Sequence, residues 1–283
     1  MTIRTVGVVG AGTIGRGVAQ DFAQAGYDVV LVDASKNQLD SALKQIGDDV
    51  LLNGMFHSKS LTEDAGTVVG RVRPTTDLEK LSAVDFVVEN VTENWDVKRE
   101  VYEGIDGICR RGVVFGVNTS AIPITRVASV TTRPADVLGL HFMNPVPLMG
   151  TVEMVKGHFT SDQTVDATLR LLGTLGKEGI VVQDSPGFVT NRVLMLTINE
   201  AIFCVQDQVA TVEQVDRMFK GCFGHKMGPL ETGDLIGLDT ILNSITVMYE
   251  SFRDSKYRPA PLLVRMVEAG LLGRKTGQGF YTY

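Results

Sequence analysis

The chain has 283 residues, of which 44% are hydrophobic and 21% charged, and its formal net charge is −6. This composition predicts a globular protein of one or two domains with a large core. It argues against a general nucleic-acid binder, which would carry a basic face. The three cysteines lack the spacing of a zinc site or a disulfide framework, so we expect reduced thiols and no metal.

No apolar run in the sequence approaches the length of a membrane span. The chain leads straight into a strand pattern, without the basic head and apolar core of a signal peptide. We therefore expect a cytoplasmic protein that has neither a membrane nor a nucleic acid as its partner.

A glycine-rich turn follows the first predicted strand. Residues 5–9 are apolar, as in a strand buried on both faces, and an amphipathic helix is predicted after the turn. A second apolar strand, residues 27–32, ends at Asp33. This order of strand, turn, helix, strand and acid is typical of dinucleotide-binding proteins. The turn contains Gly10, Gly12, Thr13, Ile14 and Gly15.

Each part of this unit has a physical reason. Gly10 permits the tight turn, Gly12 lets the backbone approach a diphosphate, and Gly15 lets the helix pack closely on the strand. The helix N-terminus offers unpaired N–H groups and a partial positive charge. Asp33 can accept hydrogen bonds from the ribose hydroxyls. Its charge would repel a 2′-phosphate, which favours NAD over NADP. Lys36 is near enough to soften that repulsion, so NADP is possible.

The alternation of strands and helices continues to about residue 183. The residues from Ser35 to Gln38 predict a capping box for a helix that runs to about Leu52. Residues 53–70 are polar and predict a helix-rich excursion or a mobile loop, in which His57 is solvated. Further strands are predicted at residues 72–74, 85–89, 112–117 and 179–183, and helices at residues 94–108 and 160–175, the latter with a capping box from Thr160 to Gln163.

Polar residues follow two of these strands, at the sheet edge where open α/β sheets bind ligands. Glu93 lies after the strand at 85–89, and Lys98, five residues later, could neutralise it. Both charges could instead be ordinary exposed helix residues. Ser120 follows the strand at 112–117 and could act at a site or only cap the next helix.

A histidine and a carboxylate lie on two short predicted strands joined by a stiff turn. His141 follows the apolar Val137 and Leu138 of the first strand, an Asn-Pro-Val-Pro sequence occupies residues 144–147, and Glu153 lies on the second strand. Such a turn can bring Glu153 back beside His141, which would form a base and its orienting group. Alternatively, His141 is satisfied by a backbone carbonyl in the turn.

Helical periodicity replaces the alternation after a turn at residues 184–187. We predict a Rossmann-type, doubly wound α/β domain at residues 1–184 and a smaller all-helical domain at residues 185–283, for the substrate site and dimerisation. The helices have more apolar surface than a small bundle needs, which predicts a homodimer. The predicted helices are 188–206, 212–222, 234–253 and 260–270, and the apolar residues include Leu194, Met195, Leu196, Ile198 and Ile202.

The motifs taken together resemble the 3-hydroxyacyl-CoA dehydrogenase family, in its short form of 3-hydroxybutyryl-CoA dehydrogenases. The resemblance covers nearly the whole chain and implies an NAD-dependent oxidoreductase that interconverts 3-hydroxyacyl and 3-oxoacyl thioesters. The motifs that carry it are residues 10–15, 88–94, 118–120, 139–147, 152–153, 184–192, 227–229, 237–239 and 273–281.

The resemblance also implies roles for individual residues. His141 would be the catalytic base, oriented by Glu153, while Ser120 and Asn191 would bind the reacting oxygen or the thioester. Asn191 could instead satisfy the backbone at a helix start. The implied cofactor site adds Glu93 and Lys98, as a charged pair beside the nicotinamide, and Asn118, close to the cofactor.

Two departures from the family bear on the substrate. Gly150 stands where family members often have a lysine, and Lys59 is the only lysine at residues 53–73, a region that helps hold coenzyme A in the family. The same chemistry on a hydroxyacyl group tethered to acyl carrier protein, in a polyketide precursor pathway, is therefore an alternative. Its recognition would use basic residues such as Arg71, Arg73, Arg110 and Arg111.

An alternative of another class is a non-catalytic, crystallin-like structural protein on the same fold. The intact set of Ser120, His141, Glu153 and Asn191 argues against it, because a protein without catalysis has no reason to keep all four.

Overall fold

The computed structural model describes residues 3–56 and 63–283, so the predictions for His57 and Lys59 lie outside the described residues. The chain divides into two compact units, residues 1–184 and residues 185–283. No helix in the described ranges is long and apolar enough to cross a membrane.

An eight-stranded sheet forms the centre of the first unit, in the order β3-β2-β1-β4-β5-β6-β7-β8. All neighbouring strands are parallel except β6 and β7, which form an antiparallel pair. The predicted Rossmann-type fold with a helical second domain is confirmed. The strands are β1 Thr5–Val9, β2 Asp28–Val32, β3 Val72–Thr75, β4 Phe86–Glu89, β5 Val114–Val117, β6 Val137–His141, β7 Thr151–Lys156 and β8 Glu178–Gln183.

Helices pack on this sheet, and side chains such as Val8, Phe22, Leu31 and Phe86 are fully buried between the layers. Because parallel strands are covered on both faces, they are apolar throughout rather than alternating. The helices of this unit are α1 Thr13–Gln24, α2 Lys36–Phe56, α3 Ala65–Gly70, α4 Trp95–Ile108, α5 Ile124–Ala128 and α6 Asp162–Thr174.

Two predicted capping boxes in the first unit are wrong in detail. Ser35 does accept from the Gln38 N–H, but the Gln38 side chain donates to the carbonyl of Ala11 instead of returning to Ser35. The cap of α6 is Ser161, one residue later than predicted, because Thr160 uses its hydroxyl on the carbonyl of Val137. Tertiary hydrogen bonds compete with the local ones in both cases.

The second unit is helical, and Thr211 and Gln214 form a capping box at the start of one of its helices. The predicted helix at 234–253 is wrong: Gly237, with a φ of 103°, separates two helices there. A positive φ cannot continue a right-handed helix. The helices are α7 Thr190–Gln206, α8 Val212–Phe223, α9 Pro229–Ile236, α10 Leu238–Phe252 and α11 Pro261–Glu268.

Much of the apolar surface of α7 belongs to the core of its own unit. Met195, Ile198 and Ile202 are buried there, and Leu196 packs against them, whereas Leu194 is 37% exposed. The apolar residues of α7 are therefore accounted for mainly by the core, and Leu194 is the one of the predicted set that faces outwards.

Candidate active site

The glycine-rich turn joins β1 to α1 by a close approach of backbones. Gly10 has a φ of 93°, and a Cβ added there would lie 2.8 Å from the main chain of Asn90. A Cβ on Gly15 would lie 1.8 Å from the carbonyl oxygen of Gly10. By contrast, a Cβ on Gly12 would meet no described atom within 4 Å. Gly10 and Gly15 thus allow internal packing, whereas Gly12 leaves its surface open.

The N-terminus of α1 has the features of an anion site. Gly12 is the N-cap, no side chain in the described residues caps this end, and the first turn carries no acidic residue. The N–H groups of that turn, which includes Thr13 and Ile14, and the helix dipole are therefore directed at open space over Gly12.

Asp33 supports the glycine-rich turn and also lines a cavity. Its carboxylate accepts from the N–H groups of Ala11 and Ser35, both at 2.8 Å. The cavity has a volume of about 620 Å³ and lies at the carboxyl ends of β1, β2 and β4, with Gly10, Gly12, Asp33, Asn90 and Thr92 among its lining residues. An open helix N-terminus and a carboxylate on one cavity fit the diphosphate and adenosine ribose of NAD.

The predicted pair of Glu93 and Lys98 does not form. The Lys98 side chain is fully buried, and its Nζ donates to both carboxylate oxygens of Glu89, at 2.8 and 2.9 Å. It also donates to the carbonyls of Asn118 at 3.0 Å and Val91 at 3.4 Å. Burial raises the pKa of the Glu89 carboxyl, and the adjacent Lys98 ammonium opposes that rise.

Lys98 pairs with Glu89 because of where the two glutamates lie relative to α4. Glu89 ends a buried strand beside α4, whereas Glu93 precedes the N-cap of that helix, Asn94. Lys98 faces the sheet from α4, so the nearest carboxylate is that of Glu89.

Glu93 instead holds the loop that carries Ser120. Its Oε1 accepts from the Thr119 hydroxyl and from the N–H groups of Ala121 at 3.1 Å and Ile122 at 3.2 Å. Ser120 thus lies between residues whose donors converge on one carboxylate.

Asn118 connects the ends of three strands. Its Nδ2 donates to Oδ1 of Asn90 after β4, at 3.0 Å, and its Oδ1 accepts from the N–H of Phe142 after β6, at 3.2 Å. Because Phe142 directly follows His141, Asn118 restrains the backbone beside the histidine.

The antiparallel pair of β6 and β7 brings His141 and Glu153 together. The two residues are direct partners in the register, and His141 Nδ1 lies 2.9 Å from Glu153 Oε2. Both side chains are buried, with 5% and 6% exposed. The intervening chain contains a cis Asn144–Pro145 bond and a short 3₁₀ helix, Val146–Leu148. The expected hairpin is thus present.

Ser120 completes a line of hydrogen-bonding groups. Its Oγ lies 3.0 Å from His141 Nε2, on the opposite side of the ring from Glu153. A neutral imidazole has one donor and one acceptor nitrogen. With Nδ1–H donating to Glu153, Nε2 becomes the acceptor, so the ring is oriented for proton transfer at Nε2.

Asn191, the fourth residue of the expected catalytic set, belongs to the second unit. It lies in the first turn of α7 and is partly buried. Its role as a hydrogen-bond donor to substrate stays a prediction.

The role of Glu89 is not predicted from the sequence. The strand pattern indicates only that this residue ends a buried strand, although the structure makes it the partner of Lys98. The available signal was a carboxylate in a strand that is otherwise apolar on both faces, because a buried charge of that kind requires a partner.

Two family models match almost the whole chain. The model "3-hydroxyacyl-CoA dehydrogenase, NAD binding domain" matches residues 5–185, and "3-hydroxyacyl-CoA dehydrogenase, C-terminal domain" matches residues 187–283. The chain belongs to the 3-hydroxyacyl-CoA dehydrogenase family. The predicted family, the class of oxidoreductases acting on CH–OH groups and the cofactor NAD are thereby confirmed.

Relatives in this family are similar over their full length. A "Probable 3-hydroxybutyryl-CoA dehydrogenase" from Deinococcus radiodurans is 45% identical over 278 residues, which cover 98% of this chain and 99% of the relative. A 3-hydroxybutyryl-CoA dehydrogenase from Bradyrhizobium diazoefficiens is 44% identical, with 99% and 96% covered. The crystal structure of (S)-3-hydroxybutyryl-CoA dehydrogenase from Ralstonia eutropha has a TM-score of 0.95 and 43% identity, with 100% and 99% covered.

Proposed function

We propose that this member of the 3-hydroxyacyl-CoA dehydrogenase family is an NAD-dependent 3-hydroxybutyryl-CoA dehydrogenase, which interconverts 3-hydroxybutyryl-CoA and 3-oxobutyryl-CoA. The single observation that carries the chemistry is His141, held at Nδ1 by Glu153 and facing Ser120 at Nε2. Relatives of 40–45% identity that are named 3-hydroxybutyryl-CoA dehydrogenase support the acyl group and the coenzyme A carrier.

His141 is the general base in the direction of oxidation. Its Nε2 takes the proton of the 3-hydroxyl group, and NAD, when bound, would supply the acceptor for the hydride that leaves the same carbon. In the reverse direction the imidazolium returns the proton to the oxygen. Glu153 accepts from Nδ1–H in both protonation states, which fixes the tautomer and stabilises the charged ring.

Ser120 donates its hydroxyl hydrogen to the reacting oxygen as negative charge develops there. A preorganised donor of this kind contributes on the order of 10²-fold in rate. Glu93 supports Ser120 by holding both sides of its loop. Asn191 supplies a further donor, to the reacting oxygen or to the thioester carbonyl.

In this proposal the carboxyl ends of the parallel strands would hold the cofactor. The residues from Gly10 to Gly15 would hold the diphosphate, and Asp33 would accept a hydrogen bond from the adenosine ribose. Glu93 and Asn118 would serve the nicotinamide half, whereas Lys98 would act only through the Asn118 carbonyl, because its side chain is fully buried.

The relatives do not favour the two alternatives, an acyl carrier protein substrate and a structural protein. Their names refer to coenzyme A thioesters and to enzymes. We further propose a homodimer, supported by exposed apolar side chains on the second unit, such as Val193, Met218 and Phe223. A cytoplasmic location is also proposed, and three free cysteines are consistent with a reducing compartment.

A substrate panel tests the proposal. The purified protein is offered 3-hydroxybutyryl-CoA, longer 3-hydroxyacyl-CoA thioesters and 3-hydroxybutyryl acyl carrier protein, each with NAD and with NADP, and NADH or NADPH absorbance is followed. We expect the highest kcat/KM with 3-hydroxybutyryl-CoA and NAD. A higher kcat/KM with the carrier-tethered substrate would show that acyl carrier protein, and not coenzyme A, is the carrier. No turnover with any of these substrates would contradict the proposal.

A further inference from the structure

Lys177 is a buried lysine that the proposed chemistry does not use. It lies between α6 and β8, and only 5% of its side chain is exposed. Its Nζ donates to the carbonyls of Val146 at 2.8 Å and Met149 at 2.6 Å, and it lies 3.0 Å from Oδ2 of Asp21. Two of the three N–H donors of the ammonium are thus used on carbonyl oxygens, and the Asp21 carboxylate forms an ion pair with it.

The carbonyls of Val146 and Met149 belong to the turn that joins β6 to β7. This turn contains the 3₁₀ helix Val146–Leu148 and connects His141, at the end of β6, to Glu153 on β7. The third oxygen belongs to α1, the helix whose N-terminus is the proposed diphosphate site. Lys177 therefore contacts both the turn between β6 and β7 and the helix α1.

Direct packing places the same two elements against each other. A Cβ added to Gly17 of α1 would lie 2.8 Å from Cβ of Val146, which is 1% exposed. The turn thus rests on α1 without room for a side chain at Gly17. The ammonium of Lys177 bridges the same two elements, since it donates to carbonyls of the turn and lies 3.0 Å from the carboxylate of Asp21 in α1, 9% exposed.

Burying these charges costs free energy. Burial raises the pKa of Asp21 to about 6, even though Lys177 acts in the opposite direction. A buried ion pair is often no more stabilising than well-packed apolar residues. Stability alone therefore does not explain a charged pair at this position.

We propose that Lys177 is a positioning residue for hydride transfer, which ties the turn between His141 and Glu153 to the dinucleotide-binding helix α1. This inference rests on the proposed function. Without Lys177 the carbonyls of Val146 and Met149 lose the ammonium as a donor, which leaves Val146 with the N–H of Met149, and the turn moves relative to α1. Misplacement of a reacting group by about 1 Å can lower the rate by about 10²-fold.

The test compares Lys177→Met with Lys156→Met. Methionine keeps the length and apolar stem of lysine, and Lys156 at the end of β7 forms only a partly exposed ion pair with Asp162. We measure kcat for 3-hydroxybutyryl-CoA, the Kd of NADH from quenching of Trp95, the only tryptophan, and amide hydrogen exchange at Leu148 and Met149.

For Lys177→Met we expect kcat to fall about tenfold or more, with the Kd of NADH within about threefold of the parent value. Exchange at the two turn amides should accelerate by about tenfold. Lys156→Met should change none of the three. A folded Lys177→Met protein with parental kcat would overturn the inference, as would a loss of NADH affinity equal to the loss of kcat.

Asp21→Asn serves if Lys177→Met does not fold, because it removes only the charge opposite the ammonium. We then expect kcat to fall about threefold or more with NADH binding unchanged, and an unchanged kcat overturns the inference. A parent protein without turnover contradicts the proposed function instead. In that case the exchange rates still report whether Lys177 holds the turn.

Discussion

Two buried pairs of a carboxylate and a basic side chain lie near the same edge of the sheet, and they differ in what the basic group can do. Lys98 and Glu89 are fully buried, and the lysine donates to four oxygens of the protein. His141 and Glu153 are nearly as buried, but the second nitrogen of the ring faces the Ser120 hydroxyl.

An ammonium has only donors, whereas a neutral imidazole keeps one acceptor nitrogen. Lys98 is therefore saturated by its neighbours and can only hold the chain in place. His141 can receive a proton at Nε2 while Glu153 keeps its orientation. Burial beside a carboxylate thus does not identify a catalytic base. A nitrogen that can still accept a proton does.

Removal of the imidazole should give the largest effect. We expect His141→Gln to lower kcat by about 10³-fold or more, because the base is lost, with little change in the Kd of NADH. Steady-state kinetics and NADH titration measure both. The matched control is His158→Gln, the same substitution at an exposed histidine, which should retain parental kcat. Substantial turnover by His141→Gln would show that another group takes the proton.

Removing the carboxylate charge from the pair of Glu89 and Lys98 should lower the stability of the protein rather than its activity. We expect Glu89→Gln to lower the free energy of unfolding by about 3 kcal/mol, because it leaves the Lys98 ammonium buried without a carboxylate. Urea denaturation measures this change. A variant as stable as the parent would show that the carbonyls alone satisfy Lys98.

The pair of Asp21 and Lys177 adds a pH dependence to this comparison. Burial raises the pKa of Asp21 from 3.8 to about 6, so the folded state holds this proton more tightly than the unfolded state. The resulting stabilisation is fully present below pH 3.8 and is lost as the pH rises through about 6. Relative to Asp21→Asn, the parent should lose about 3 kcal/mol of unfolding free energy by pH 7.

Urea denaturation of both proteins at several pH values between 4 and 7 measures that difference. Asp162→Asn, at an exposed carboxylate whose pKa is lowered by Lys156, should run parallel to the parent between about pH 5 and 7. A parent and an Asp21→Asn protein with the same pH profile would contradict the raised pKa.

A smaller effect is expected at the Ser120 hydroxyl, which faces the His141 ring. Ser120→Ala should lower kcat by about 10²-fold, because one donor to the reacting oxygen is lost while the base remains. Steady-state kinetics at saturating substrate measure it, with Ser129→Ala, at an exposed serine, as the control. An unchanged kcat would reduce Ser120 to a residue of the loop.

Local patterns predicted the parts of the site that depend on neighbouring residues in the chain. The glycine-rich turn, its helix and the hairpin that pairs His141 with Glu153 follow from strand periodicity and from turn residues. The partners of charged side chains could not be predicted in this way. Glu93 and Lys98 are close in sequence, yet the burial of Lys98 against β4 selects Glu89.

The same limit explains the other errors. The helix break at Gly237 depends on a left-handed backbone that an apolar periodicity does not reveal. Lys177 is distant in sequence from Asp21, Val146 and Met149, and it appears in no motif. Its contacts exist only because α1 and the turn of the hairpin pack together in the folded unit.

The most direct test of the contrast between the two pairs is kcat per folded molecule for Glu153→Gln and Glu89→Gln, measured side by side with 3-hydroxybutyryl-CoA and NAD. We expect Glu153→Gln to lower this kcat by about 10²-fold or more, since the charge that stabilises the imidazolium is lost, and Glu89→Gln to lower it less than about tenfold. Equal losses in the two variants, or the larger loss in Glu89→Gln, would contradict the assignment of the proton transfer to His141 and Glu153.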